Sequence, residues 1–301
     1  MSHSDSESDQ AGVPLIEDFS GLDALAPKTS THPSKRKRDD VDDDTQAPIE
    51  SKRSKKKKKQ TKKPRDVSDE ALDIDNGVNH AIRHMDPSLL ADHIAQRTKR
   101  FQPDLSLVEA EDIRIPERAI TDTTSFPKDR KTDEFPAFLE AFAGEQRNSK
   151  RGKKGQPGGL ANASKDPGSP HTLVVAGAGL RAADLTRALR KFQTKDSMVA
   201  KLFAKHIKLK EAVEMVKKTR MGIGVGTPQR IEDLLEDGCL KADRLERIVV
   251  DASHIDQKKR GILDMKETQV PLVKLLARED LKEMYASGAK EGKGRIELLF
   301  F

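Results

Sequence analysis

The hydrophobic and polar positions change character twice along the chain. Up to about Asp75, apolar residues are scattered singly among Ser, Asp, Lys and Pro with no helical or strand period. Such a segment cannot bury enough surface to offset its chain entropy, so residues 1–75 are predicted to be a disordered charged tail. A helical pattern opens at "DPSLLADHIAQRTKRF". There Asp86 can cap, Pro87 fits the first helical position, and Leu89, Leu90, His93, Ile94, Arg97 and Phe101 fall near one stripe. His93 on that stripe reads as a partly buried histidine with an ordinary hydrogen-bond partner rather than a ligand. In "PDLSLVEAEDIRIPERAITDTT" Pro103 and Pro116 break the apolar groups, which predicts an extended segment laid across a core. "DEFPAFLEAFAG" predicts a short helix, and the Gly, Lys and Pro between Gly144 and Pro170 predict a mobile linker. Residues 76–143 are thus read as helical and extended pieces packing on a domain at 171–301.

After Pro170 the pattern alternates. "TLVVA", "SMVAKLFA", "MGIGV", "RIVVD" and "RIELLFF" read as strands, with helical stripes between them. The first stripe is Leu185, Ala188, Leu189 and Phe192, with Arg181, Arg187 and Arg190 pointing elsewhere. The second is Leu209, Ala212, Val213 and Val216. In "GTPQRIEDLLEDG" Thr227 can be the N-cap and Pro228 the first helical residue, with Ile231, Leu234 and Leu235 buried and Gly238 the stop. Strands alternating with helices of this length imply crossover connections, so the expected fold class is α/β, a largely parallel sheet with flanking helices. Ligands of such sheets bind beyond the strand C-termini. The residues to interrogate are therefore Gly177–Arg181, Lys205–Lys208, Gly226–Arg230 and Asp251–His254.

Composition and charge sharpen this picture. Charged residues make up 35% and aromatics only 4% of the 301 residues, which suits one folded domain plus a long solvated part. The 56 Lys and Arg nearly balance 50 Asp and Glu, so local clustering carries the signal. One cluster is Lys35, Arg36, Lys37 and Arg38. The other runs from Lys52 to Arg65 and includes Lys52, Arg53, Lys55, Lys56, Lys57, Lys58 and Lys59. Both read as nuclear or nucleolar import signals that double as phosphate-binding arms. The single cysteine, Cys239, leaves no internal disulfide or cysteine-rich metal site and fits a reducing compartment. No secretory leader is legible, and no apolar run approaches the roughly 18 residues of a membrane span.

"GAGLRA" at Gly177–Ala182 fits the dinucleotide fingerprint, which also requires an acidic residue roughly 20 positions on. "AKHIKLK" stands there instead, leaving an NADP-binding oxidoreductase as an alternative. The other exits resemble DEAD-box RNA helicases. Gly226, Thr227, Pro228 and Arg230 match the "TPGR" element that holds an RNA phosphate, with Gln229 in place of its glycine. "LERIVVDASH" stands where "LVLDEAD" would, the opening stretch corresponds to "LAPTREL", and "IELLFF" to the strand leading into "SAT". The resemblance implies a RecA-like lobe with an RNA-backbone groove formed by Gly179, Arg181, Arg187, Lys205, Gly226, Thr227, Pro228, Gln229 and an exposed Arg230. A phosphate loop G-x-x-x-x-G-K-[ST] is missing, Ala252 and His254 replace two residues of the DEAD element, and a second lobe is not legible. Asp251 and His254 therefore read as ordinary strand-end residues, Asp251 as a helix cap. No enzymatic activity, nucleotide or cofactor is expected.

"DLSLVEAEDIRIPERAITDTT", "PAFLEAF", "PHTLVVAGAGLRAADLTRAL" and "GTPQRIEDLL" together resemble the Cms-one family of fungal and animal proteins, from about Asp86 to Phe301. That resemblance implies a nuclear, nucleolar assembly factor of the small-subunit precursor. Its partners would be pre-ribosomal RNA or a small nucleolar RNA, together with assembly proteins. A lobe that binds only proteins, its RNA surface vestigial, is the remaining alternative.

Overall fold

The computed structural model describes residues 71–143, 159–203, 207–286 and 295–301. The predicted tail to residue 70, with both basic clusters, the first part of the predicted linker, and Lys205 lie outside the described residues. Among the described residues no helix is long and apolar enough to cross a membrane.

The described chain opens with a small antiparallel hairpin, β1 (Leu72–Asp73) and β2 (Val78–Asn79), whose turn uses Gly77 at φ 63°. Helix α1 (Pro87–Phe101) starts as its sequence dictates, with the Asp86 carboxylate accepting from the Leu89 amide at 2.8 Å. Its buried stripe is Leu90, Ala91, Ile94 and Thr98, narrower than predicted, and Leu89 faces solvent. The next stretch is only partly extended. Ser106 and Glu109 form a reciprocal capping box that starts a short helix, α2 (Leu107–Asp112), which buries none of its residues. From Ile113 onward the chain does lie across the core. Ile120 pairs in parallel with Leu298, Thr121 N donates to Leu298 O at 2.8 Å, and Thr123 Oγ1 donates to Phe300 O at 3.2 Å. Helix α3 (Phe135–Phe142) follows as expected.

The sheet is built from β3 (Thr172–Val175), β4 (Met198–Leu202), β5 (Met221–Gly226), β6 (Arg247–Val250) and β7 (Glu297–Phe300). Its spatial order is β4-β5-β3-β6-β7 and every pairing is parallel. The connecting helices are α4 (Gly179–Ala188), α5 (Leu209–Lys218), α6 (Pro228–Glu236), α7 (Lys266–Leu276) and α8 (Glu279–Ala286). Strand residues alternate between two cores, as a sheet covered on both faces requires. Leu173, Val175, Leu298 and Phe300 meet α1, α5, α6, α7 and α8, while Val174, Val249, Leu299 and Phe301 meet α3 and α4.

Three further features depart from the sequence reading, the first being that residues 71–75, read as part of the disordered tail, open the hairpin. Helices α7 and α8 were not anticipated; α7 carries Pro271 in its interior, which hides its stripe. Residues 159–170, read as part of the linker, belong to the fold. Leu160 is buried, Gly168 O accepts from Lys241 N at 2.8 Å, and Gly168 sits at φ 71°, where a Cβ would come 2.1 Å from Cys239 O.

Candidate functional site at the strand exits

The C-terminal ends of β3, β5 and β6 lie side by side, and the predicted contact residues can be placed relative to them, except Lys205, which is outside the described residues, and Arg187, which sits in the last turn of α4 away from the exits. At the β3 exit a side chain on Gly177 would come within 3.3 Å of Ile262 Cβ, so this glycine admits the chain's own loop. Ala178 is the N-cap of α4 without a side-chain cap bond, and Gly179 is half-buried in the first turn. Arg181 does not point to solvent. Its Nε and Nη2 donate to Asp251 Oδ2 and Oδ1 at 2.7 and 2.9 Å, and its Nη1 donates to Thr132 Oγ1. Only 8% of the Arg181 side chain and 1% of Asp251 remain exposed. Burial alone would lower the Arg181 pKa, but the Asp251 charge and its hydrogen bonds outweigh it and hold the guanidinium above its ordinary value. A planar fork matched to a carboxylate in this way is occupied, which removes Arg181 from an RNA groove and makes Asp251 an ion-pair partner instead of a cap. Arg187 is exposed and pairs with Asp184 at 2.9 Å.

At the β5 exit the glycine again has a packing cause, since a Cβ on Gly226 would stand 2.1 Å from Leu202 O. Thr227 is the N-cap residue of α6 by backbone, but its side chain makes no cap bond. Pro228 is buried. Gln229 is exposed and donates to Asp233 Oδ1 at 2.8 Å. Arg230, expected on the surface, is 9% exposed and donates through Nη1 and Nη2 to Ile207 O at 3.3 and 3.2 Å. The guanidinium thus ties the segment after β4 to α6.

The β6 exit is covered by the hairpin. Asn79 N donates to Ser253 O at 2.7 Å, Ile255 N donates to Gly77 O at 2.9 Å, and Val78 pairs with His254. Burial, then the nearby Arg181 charge, lowers the His254 pKa. Phe301 O accepts from the amides of Ala252 and Ser253 at 2.9 and 2.7 Å, closing the edge beside β7.

Two groups escaped the sequence reading. The turn after the β6 exit exposes Lys258, Lys259 and Arg260 in succession. Asp256 Oδ1 accepts from Lys258 N and Arg260 N at 2.8 and 2.9 Å, and Lys259 has φ 61°. The signal was present in "DQKKRG", an Asp able to fold a turn over three consecutive cations. The other is Arg130, buried at 1% exposure with its guanidinium 5.2, 4.5 and 5.7 Å from the rings of Phe126, Phe138 and Phe301. Burial and then Arg83 push its pKa down to about 10. Its Nη2 donates to Thr123 O at 2.7 Å, so ring faces and one carbonyl anchor the crossing segment to the end of β7.

Fold and exits define a class: a parallel α/β domain whose ligand edge is packed largely by its own hairpin, loop and ion pair. The family described as "CMS1: U3-containing 90S pre-ribosomal complex subunit" matches residues 29–299, and the chain belongs to that family. Protein CMS1 of Chaetomium thermophilum is 55% identical over 240 residues, covering 80% of this chain and 90% of its own. Protein cms1 of Schizosaccharomyces pombe is 30% identical over 200 residues, 66% of each chain. Human Protein CMSS1 is 38% identical over 104 residues, 35% of this chain and 37% of its own. The family resemblance read from the sequence therefore holds, and with it a part in ribosome biogenesis.

Proposed function

We propose that this chain is a non-catalytic nucleolar subunit of the small-subunit precursor, whose degenerate helicase-like lobe binds RNA and assembly proteins without turning over a nucleotide. The Arg181–Asp251 pair carries this reading. In a helicase-type site the strand-end aspartate holds Mg²⁺, and here both its oxygens receive the Arg181 fork. The sequence also lacks a phosphate loop. With Arg181 and Arg230 turned inward, the RNA contact at this edge falls to the exposed Lys258 and Lys259, with Gln229 and with Arg260, whose pairing to Asp256 at 2.9 Å is solvent-exposed and open to exchange for a phosphate. The basic clusters at 35–38 and 52–65 supply further phosphate contacts and the nuclear address.

Thermal unfolding of the purified chain with Mg-ATP and with NADPH tests the first half. A ligand at 100 times its Kd stabilises by about 2.7 kcal/mol, so no shift is expected with either nucleotide. A shift with NADPH alone would restore the oxidoreductase, and one with Mg-ATP would overturn the non-catalytic reading. Crosslinking to pre-ribosomal RNA in cells tests the second half. Lys258→Glu with Lys259→Glu should lower the yield and reduce the salt slope in vitro by up to about 0.7 per lost contact on single strands. Unchanged yield and slope would make the lobe a protein-binding platform alone.

A further inference from the structure

Away from the strand exits, a cleft of about 670 Å³ opens between the α1–α2 connection and helices α6, α7 and α8. Its apolar lining includes Leu105, Ile113, Val270 and Ala277. Glu232 of α6 also lines it and carries an unusual burden. The side chain is 2% exposed, one oxygen takes Lys274 Nζ at 2.8 Å, and the other, Oε2, is buried with no hydrogen-bond partner. A buried carboxylate oxygen without a donor is costly, and natural structures keep few of them. The rim adds Glu236, Glu279 and Asp280 against only Lys274 and Arg278, so acid predominates in a chain of net charge +6. The wall beside it is uncovered on its apolar side, although Lys282 Nζ donates to Asp112 O and Arg114 pairs with Glu111 at 3.6 Å. Helix α2 buries nothing, Leu107 and Val108 are 91% and 72% exposed, and Glu109, Glu111 and Asp112 continue the acidic rim.

We propose that this cleft and the α2 face dock a cationic, apolar-anchored segment of a partner protein. Its apolar side chains would cover Leu107 and Val108, and a Lys or Arg would reach the free oxygen of Glu232. Charge complementarity selects this occupant, because the excess of carboxylates repels a phosphate backbone and leaves RNA to the opposite-signed turn at Lys258–Arg260. A basic segment is also the chemistry that supplies the missing donor, and a helix without a buried face gains one only from a partner. The site shares no residue with the proposed RNA contact, so the two readings stand or fall separately.

The test uses the full chain and three labelled probes in fluorescence anisotropy: an amphipathic peptide of leucine and arginine, its counterpart with glutamate for arginine, and a single-stranded RNA. The arginine peptide should bind saturably. The pair Leu107→Asp and Val108→Asp, and separately Glu236→Lys, should each weaken it by about tenfold, the scale of losing one anchor or one ionic contact at an interface. These side chains are exposed, and unchanged melting would show that the variants fold. RNA binding should be unaffected by them. In cells, a photoreactive residue at position 107 should crosslink to a peptide rich in Lys or Arg with apolar neighbours. Equal peptide binding by wild type and variants, no saturable binding, preference for the glutamate peptide, or crosslinks to RNA or to acidic segments would overturn the proposal.

Discussion

At the scale of single residues, Arg181 and Asp251 come from different strand exits, and each neutralises a charge the other would leave stranded. Removing one partner of a buried pair leaves an uncompensated charge, so Asp251→Ala should cost about 3–5 kcal/mol in urea unfolding. The double variant Arg181→Met with Asp251→Leu should recover much of that loss. The burial of Arg181 and Arg230 was illegible in the sequence because their partners, Asp251 and Ile207 O, stand far along the chain; a helix stripe reveals only near neighbours. His171 shows a different kind of dependence. Its Nε2–H donates to Asn162 O at 3.0 Å and its Nδ1 accepts from Thr172 Oγ1 at 2.8 Å, while Arg247 Nη1 donates to the same hydroxyl at 3.1 Å. Burial and then Arg247 hold its pKa down to about 4. Because the folded pKa lies below the unfolded value near 6.5, the unfolded chain binds the proton first, and stability falls as pH drops from about 6.5 towards 4. His93 and His254 are shifted in the same direction. The melting temperature should therefore decline between pH 7 and 5, where most carboxylates are still ionised, and His171→Gln should flatten that slope.

Elements were legible where start, stripe and stop lie close together in the chain. Helix α1 has the Asp86 cap and Pro87, and α6 has Pro228, Ile231, Leu234, Leu235 and Gly238 at φ 77°. The same locality limits the reading. Two-residue strands such as β1 and β2 have no period to detect, Pro271 interrupts the pattern of α7, and the apolar pair of α2 faces outward. The two N-caps also differ in a way sequence cannot separate, since only Asp86 accepts from its helix while Thr227 makes no side-chain bond. Asp86→Ala should lower stability by about 1 kcal/mol, and Thr227→Ala should stay within about 0.5 kcal/mol. Equilibrium unfolding of the two variants under one condition decides between caps that look alike in the sequence.

For the molecule as a whole, the described fold is one unit of sheet, helices and crossing segment, and the two basic clusters lie in the tail. Replacing the lysines and arginines of 35–38 and 52–59 with glutamine should shift a tagged chain from nucleus to cytoplasm while leaving the melting of the lobe unchanged. Continued nuclear accumulation would place the address elsewhere. The crossing segment has one more consequence. Thr123 meets Phe300 across 177 positions, and the hairpin at 72–79 meets His254. Such long-range contacts make folding slow, because loops must close before any pairing rewards them. During synthesis the early segments wait for strands that leave the ribosome much later, and β6 stands with an open edge until β7 arrives. Completion of this sheet is therefore timed by the synthesis of β7, and a nascent chain halted before β7 would expose a sheet edge and phenylalanine-rich surface to chaperones instead of to a pre-ribosome.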